Sequence, residues 1–121
     1  MFVERVPKGS TILVHFPFTD LSSTKLRPAL VLYEGHLDVT IAPMTTQRPD
    51  PPLSSDLLIC KSTPSFRTAG LKAESWLLID KIATLEKTFV VGILGEADED
   101  LKREVNKKIA QCLMFNDVLA I

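Results

Sequence analysis

The residues best suited to chemistry in this chain are an arginine before one apolar run and a threonine after another. Arg27 stands directly before Pro28 in TKLRPALVLY, and Thr45 follows the apolar segment of LDVTIAPMTTQR. Proline pushes the preceding residue towards extended backbone, so Arg27 is constrained in its backbone while its side chain can point elsewhere. A guanidinium binds two oxygens of one anion and stabilises charge that builds up in a transition state. A phosphodiester is therefore one candidate ligand, and a solvated charge at a strand edge is the alternative.

Other catalytic templates are missing from the sequence. It contains no CxxC, HExxH or GxSxG motif and no glycine-rich phosphate loop. His15 falls on the face of a predicted strand opposite its apolar residues, which predicts an exposed side chain. Asp20, Asp56 and Asp80 lie far apart in the chain and mark out no carboxylate pair.

The composition is that of an ordinary globular protein. The chain has 121 residues, of which 45 % are apolar and 24 % charged, so we expect a single domain over residues 1–121. No apolar run reaches the roughly 18 residues of a membrane span, and MFVERVPKGS lacks the apolar segment of a signal peptide. We therefore expect no membrane association and a cytoplasmic location. Cys60 and Cys112 have no partner spacing, which favours buried reduced thiols over a disulfide or a metal site.

The charge is spread unevenly. A net charge of −1 argues against tight nonspecific binding to nucleic acid, because neutralising phosphates needs clustered Lys and Arg. Residues 41–73 nevertheless carry a net charge of +2, and residues 95–121 carry −2. The middle of the chain is thus mildly basic and its end acidic.

Apolar periodicity predicts strands followed by one helix. The second and third strands should form a hairpin, which brings the Arg27 end of one to the Thr45 end of the other. The polar stretches 44–55 and 61–74 are long enough to suggest functional loops. Apolar residues recur every three to four positions over 99–115, which predicts an amphipathic helix with Asp98 as its N-cap. The predicted strands lie at 10–18, 28–33, 37–43, 56–60, 75–80 and 88–94.

Four sequence blocks together resemble the PemK/MazF family of toxin endoribonucleases from type II toxin–antitoxin systems. They are KGSTILVHFPFTDLSSTKLRPALVL, IAPMTTQ, AGLKAESWLLIDKIATLEK and DEDLKREV, and the resemblance covers about residues 7–115. It implies an α+β fold, a small SH3-like antiparallel β-barrel with a C-terminal amphipathic helix of the MazF/Kid/CcdB type. It also implies a homodimer that cuts single-stranded RNA without metal or other cofactor and is neutralised by a cognate antitoxin.

The resemblance also assigns roles to individual residues. Arg27 and Thr45 match the family's catalytic arginine and threonine. The RNA 2′-OH would attack the adjacent phosphorus, leaving a 2′,3′-cyclic phosphate and a free 5′-OH. RNA contacts are expected from the loops and strand ends around this pair, at Thr19, Ser22, Ser23, Lys25, Thr46, Gln47, Arg48, Arg67 and Asp80.

Three departures from the family pattern leave the proton-handling group unassigned. Ser10 follows Gly9 where many members have an acidic residue, the loop LSSTK lacks a Gly-x-Glu-Gln segment, and Leu78 stands where some members have arginine. An inactive, nucleic-acid-binding relative is therefore an alternative, and a CcdB-like gyrase inhibitor a more distant one. Trp76 is predicted to lie in the core or at a dimer surface rather than to stack on bases. Asp80 and Lys81 are alternatively a plain ion pair.

Overall fold

The computed structural model describes residues 4–16 and 25–118, which form seven strands and two α-helices. The combination confirms the predicted α+β class. None of these helices has the length and apolarity to cross a membrane. Single 3-10 turns lie at Ile79–Lys81 and Lys87–Phe89. The elements are β1 Ser10–Phe16, β2 Lys25–Glu34, β3 Asp38–Thr45, β4 Asp56–Ile59, α1 Pro64–Thr68, β5 Ser75–Leu78, β6 Ala83–Glu86, β7 Val90–Glu96 and α2 Glu99–Cys112.

The strands form one antiparallel sheet in the order β4-β5-β3-β2-β1-β7, with β6 beside β3. β2 and β3 make the predicted hairpin, in which Ala29 lies opposite Pro43. β3 changes its second partner halfway along its length. Its first half, residues 38–41, pairs with β6, whereas Met44 and Thr45 pair with β5. The end of β3 is thereby placed between β2 and β5.

Helix α1 lies against β7 at its C-terminus. It follows β4, and its C-terminus packs against β7 so closely that a Cβ on Gly70 would lie 2.1 Å from the carbonyl oxygen of Leu94. Gly70 also has a φ of +71°, which L side chains rarely adopt. Glycine is required at this position on both grounds, and the close approach fixes the end of α1 against β7.

Two hydrophobic cores lie on opposite faces of β2, which confirms that this strand is apolar on both sides. Leu30 faces the core under the two helices, and Ala29 and Val31 face the other. Pro28 lies within β2, opposite Leu13 of β1, but at the end of the ladder that joins β2 to β3. The core under the helices includes Met44, Ile59, Phe66, Leu77, Ile79, Leu101 and Val105, and the second includes Val6, Ile12, Val14, Phe16, Val39, Ile41 and Leu85.

Asp98 begins α2 as predicted. Its carboxylate accepts hydrogen bonds from the Leu101 backbone N–H at 2.9 Å and from the Ser65 hydroxyl at 2.7 Å. These bonds lower the pKa of the Asp98 carboxyl, the backbone bond having the larger effect. One side chain therefore caps α2 and ties it to α1.

Several local predictions were wrong. Helix α1 lies inside the predicted loop 61–74, and β6 was not predicted, because both are too short to show a clear period. Cys60 is half-buried and Cys112 exposed, since α2 ends at Cys112, beyond its last buried turn. His15 is half-buried with its Nδ1 atom enclosed, because the face of β1 that carries it is also covered. Thr11, four residues before His15 on the same face of β1, is fully buried, and its hydroxyl donates to the Ala69 carbonyl.

Candidate functional site

Arg27 and Thr45 lie on neighbouring strands at one end of the sheet. Ala29 is opposite Pro43 and Leu30 is opposite Ala42, so continuing the register by two residues places Arg27 opposite Thr45. Directly opposed residues of an antiparallel pair project from the same face. The two side chains accordingly line one surface groove of about 520 Å³. The hairpin thus brings together the two residues that the sequence singled out.

The groove lies between the sheet and the loop that follows β3. Its charges balance, because three basic and three acidic side chains line it. No histidine is among its described lining residues. The lining consists of Arg27, Thr45, Gln47, Arg48, Pro49, Asp50, Pro51, Leu53, Asp56, Leu78, Asp80 and Lys81.

Arg27 has an unsatisfied hydrogen-bond donor. Its Nε atom is buried, and no described residue accepts a hydrogen bond from it. A buried donor left without a partner costs roughly 1–3 kcal/mol, so such groups call for an explanation. The outer guanidinium nitrogens are not among the buried unpaired atoms, and the side chain lines the groove. An anion in the groove would accept from the two outer nitrogens together, in a paired geometry that guanidinium favours.

The Thr45 hydroxyl is oriented by the turn that follows it. Its Oγ1 accepts a hydrogen bond from the Gln47 backbone N–H at 3.1 Å. Because this bond uses a lone pair of the oxygen, the hydroxyl proton stays free to be donated. Arg27 and Thr45 thus both present donors to the groove, which is the arrangement that a phosphate oxygen requires.

The groove carboxylates have different surroundings. Asp56 is buried, and its Oδ2 accepts from the Leu53 backbone N–H at 2.7 Å, which fixes the loop in front of β4. Asp80 is exposed, and its carboxylate lies 3.7 Å from Lys81 Nζ. Exposed pairs of this kind contribute little to stability. The ion pair considered from the sequence is therefore present, yet it leaves Asp80 open to a ligand.

The other predicted RNA-contact residues are not all at this groove. Gln47 and Arg48 line it, and Thr46 is exposed between Thr45 and Gln47. Lys25 is exposed two residues before Arg27 on β2. Arg67 is exposed on α1 and is not among the lining residues. Thr19, Ser22 and Ser23 lie outside the described residues.

Sequence reasoning missed Asp56 and Lys81 as parts of the groove. Asp56 comes from β4, whose pairing with β5 puts it opposite Leu78, and Lys81 closes the turn after β5. The sequence shows only that each apolar segment is followed by polar residues. This does not specify which strand ends lie next to each other. Within residues 4–16 and 25–118, no group of three His, Cys, Asp or Glu side chains is arranged to hold a metal ion.

The fold and this groove define a small α+β protein with a candidate site for an anion. The family follows from the sequence, because the model of the PemK-like, MazF-like toxins of type II toxin–antitoxin systems matches residues 8–113. The chain belongs to this family. No protein of curated function matches it in sequence.

Solved structures of similar fold agree with that assignment. The "Mycobacterium tuberculosis toxin MazF-mt6" is 20 % identical, with a TM-score of 0.65 over 84 % of this chain and 93 % of that one. An "Endoribonuclease in complex with its cognate antitoxin from Mycobacterial species" is 18 % identical, with a TM-score of 0.67 over 90 % and 95 %. An "Endoribonuclease from Mycobacterial species" is 20 % identical, with a TM-score of 0.66 over 93 % and 95 %. These likenesses support the MazF-like fold.

Proposed function

We propose that this chain is the toxin of a type II toxin–antitoxin system and an endoribonuclease that cuts single-stranded RNA in the cytoplasm, where mRNA is found. The observation that carries the proposal is the Arg27 guanidinium, which has no hydrogen-bond partner among the described residues and lines a groove that also holds Thr45. Membership of the toxin family supports it, as do similar structures that are named endoribonucleases.

The reaction we propose is an internal transesterification. The RNA 2′-oxygen attacks the adjacent phosphorus and loses its proton, and the bond from phosphorus to the 5′-oxygen breaks as that oxygen gains a proton. The products are a 2′,3′-cyclic phosphate and a 5′-OH. Arg27 would donate from its outer nitrogens to the non-bridging oxygens, where negative charge builds up, and Thr45 would donate its hydroxyl proton to one of them. The positive charge comes from guanidinium, so the proposal requires no metal.

The walls of the groove would hold the RNA on either side of the scissile phosphate. Gln47 and Arg48 border the phosphate site, and Arg48 adds a cation along the path of the backbone. Asp80 offers carboxylate oxygens to base or ribose donors. Arg67 lies on α1 and does not line this groove, so we expect it to contact only a longer RNA.

We propose that an antitoxin protein binds this chain and blocks the groove. One solved structure of the same fold is of an endoribonuclease with its cognate antitoxin. Co-expression with a small protein from the neighbouring reading frame should yield a stable complex in which RNA cleavage is lost. A complex that cleaves RNA at the rate of the free chain would contradict this.

We also propose a homodimer. β7 is at one end of the described sheet, and its Val91 and Ile93 are 53 % and 54 % exposed. An edge strand with apolar side chains is a surface that soluble proteins normally cover. Light scattering should give twice the chain mass, and a monomer at micromolar concentration would contradict the proposal. Further exposed apolar residues follow α2, at Leu113, Met114, Phe115 and Val118.

The decisive experiment is the chemistry of the RNA ends. Purified protein should cut single-stranded RNA in the presence of EDTA, and sequencing of the ends should find 2′,3′-cyclic phosphate and 5′-OH. RNA of the same sequence with 2′-O-methyl groups should stay intact, because its 2′-oxygen carries no proton. Products with 3′-OH and 5′-phosphate ends would exclude the mechanism.

The same assay separates the alternatives. RNA that binds but stays intact would identify an inactive relative on the same fold. Inhibition of DNA supercoiling by gyrase, with no effect on RNA, would identify a gyrase inhibitor.

A further inference from the structure

Trp76 is a large aromatic residue that neither core of the protein contains. Its neighbours in β5, Ser75 and Leu77, are 1 % and 0 % exposed and point into the core under the helices. Side chains alternate along a strand, so Trp76 points to the other face. Trp76 is half-buried in the described structure. It belongs to neither apolar core and is not among the side chains packed against them. The sequence predicted that Trp76 lies in the core or at a dimer surface, and the first of these two predictions is wrong.

The pairing of β5 places this tryptophan beside the groove. Trp76 is directly opposite Thr45 on β3 and directly opposite Leu58 on β4. Opposed residues of antiparallel strands have their Cβ atoms about 5 Å apart. The Trp76 side chain therefore begins next to that of Thr45, whose hydroxyl we assign to the scissile phosphate.

The polar atom of the ring is not used by the protein. A buried indole N–H normally has a hydrogen-bond partner. No described residue accepts a hydrogen bond from Trp76, and the buried polar atoms without partners are only His15 Nδ1 and Arg27 Nε among the described residues. The N–H edge of the ring therefore reaches solvent, although Trp76 itself is not among the residues that line the groove.

We infer that Trp76 is the platform on which a nucleobase of the RNA stacks, within one nucleotide of the phosphate held by Arg27 and Thr45. The inference rests on the proposed function. Every base has a π-face that an aromatic ring can bind, and such stacking fixes single-stranded RNA without reading its sequence. The dimer surface proposed at β7 does not include β5, the strand that carries Trp76.

The chain contains only one tryptophan, so its fluorescence reports directly on this position. The probe is a mixed-sequence, single-stranded 2′-O-methyl RNA 20-mer with a 5′ fluorescein, which binds without being cut. We expect RNA titration to quench the tryptophan fluorescence, with the midpoint that the fluorescein anisotropy gives. Binding seen by anisotropy with no change in tryptophan fluorescence overturns the inference and leaves the proposed function intact. If neither the anisotropy nor the tryptophan fluorescence shows binding, both the inference and the proposed function are overturned.

Variants separate stacking from a structural role. Trp76→Ala should raise Kd for the 20-mer and KM for RNA cleavage by roughly 10-fold to 100-fold, with a smaller effect on kcat. Trp76→Phe, which keeps a ring, should restore most of that loss. Leu58→Ala is the matched control, because it truncates the half-buried apolar neighbour on the same face and should leave Kd unchanged.

Three outcomes decide the matter. A Trp76→Ala protein that lowers Tm and kcat but leaves Kd unchanged would show a packing role and overturn the inference. A change of oligomeric state in light scattering, with Kd unchanged, would place Trp76 at a dimer surface and also overturn it. Quenching by RNA that the wild-type protein never cuts would support stacking while rejecting the proposed nuclease.

Discussion

The charged residues at the two ends of β2 differ in their hydrogen-bond partners. Near its start, Arg27 has a buried Nε with no hydrogen-bond partner among the described residues. At its end, Glu34 accepts from the Arg5 guanidinium at 2.9 Å, the Val6 backbone N–H at 2.6 Å and Lys87 Nζ at 3.1 Å. The two residues are seven positions apart, or about 23 Å along an extended strand.

The comparison distinguishes charges that hold the fold together from charges kept for a ligand. The cluster at Glu34 ties the segment before β1 and the turn after β6 to β2, and its carboxylate is satisfied from three directions. The hydrogen bond from Arg5, followed by that from Val6, lowers the pKa of Glu34 to about 2. Arg27 receives no such compensation from the described residues. An unsatisfied donor that is kept despite its cost is typical of a functional site.

The largest effect should follow the loss of the unpaired guanidinium. Arg27→Ala should reduce kcat for RNA cleavage by roughly 10²–10³ or more, because a preorganised donor to the transition-state charge is lost. Its Tm should not fall, since the native protein gains no hydrogen bond from Nε. Single-turnover cleavage and thermal unfolding by circular dichroism would measure the two quantities.

Arg27→Lys is the matched control for charge. It keeps the cation but loses the paired donors, so we expect it to recover only a small part of the activity. Full cleavage by a folded Arg27→Ala protein would remove the distinction between the two ends of β2.

Removing the satisfied carboxylate should have the opposite result. Glu34→Ala leaves Lys87, whose side chain is only 12 % exposed, without its charge partner. We expect a loss of roughly 2–3 kcal/mol in the free energy of unfolding, measured by urea titration. RNA cleavage by the folded fraction should be unchanged below the melting temperature, because distant sites act independently. A Glu34→Ala protein that is as stable as wild type would show that the cluster does not hold the fold.

The same cluster should make stability depend on acid. The pKa of Glu34 is about 2 in the folded chain, below its ordinary value of 4.5, so its contribution is fully present above about pH 4.5. That contribution is lost as the pH falls from there through about 2, when the carboxylate is protonated. Asp98 has a lowered pKa as well, so the useful quantity is the difference in unfolding free energy between wild type and Glu34→Gln. This difference should be constant from pH 7 to 5 and shrink below pH 4.5, and a difference that grows in acid would contradict the assignment.

The sequence predicted the parts of the fold that have a long period or local chemistry. The β2–β3 hairpin, the two-faced apolar strand and the Asp98 cap of α2 all follow from local patterns. Helix α1 spans only five residues, so it shows no periodicity, and only its N-cap could have predicted it. In this cap the Thr63 hydroxyl accepts from the Phe66 N–H, and Pro64 is the first helical residue.

The candidate site was only half predictable for the same reason. Arg27 and Thr45 meet through a hairpin between consecutive strands, which sequence can indicate. Asp56 lines the groove, and Trp76 lies opposite Thr45, because β4 pairs with β5 and β5 pairs with β3. The registers of these pairs are set by burial in the core under the helices. Such non-local pairing has no counterpart in spacing along the chain.

The smallest effect should come from Asp98, a second satisfied carboxylate that lies away from the groove. Asp98→Ala removes the N-cap of α2 and the bond to Ser65, and we expect a loss of about 1 kcal/mol in the free energy of unfolding. Asp98→Asn keeps an oxygen acceptor for the Leu101 N–H and should recover most of that loss, whereas Ser65→Ala should reproduce only the part due to the tie between the helices. RNA cleavage should be unchanged in all three. If Asp98→Ala instead lowered cleavage with stability intact, satisfied charges would also contribute to the reaction, and the contrast between the two ends of β2 would not separate structure from function.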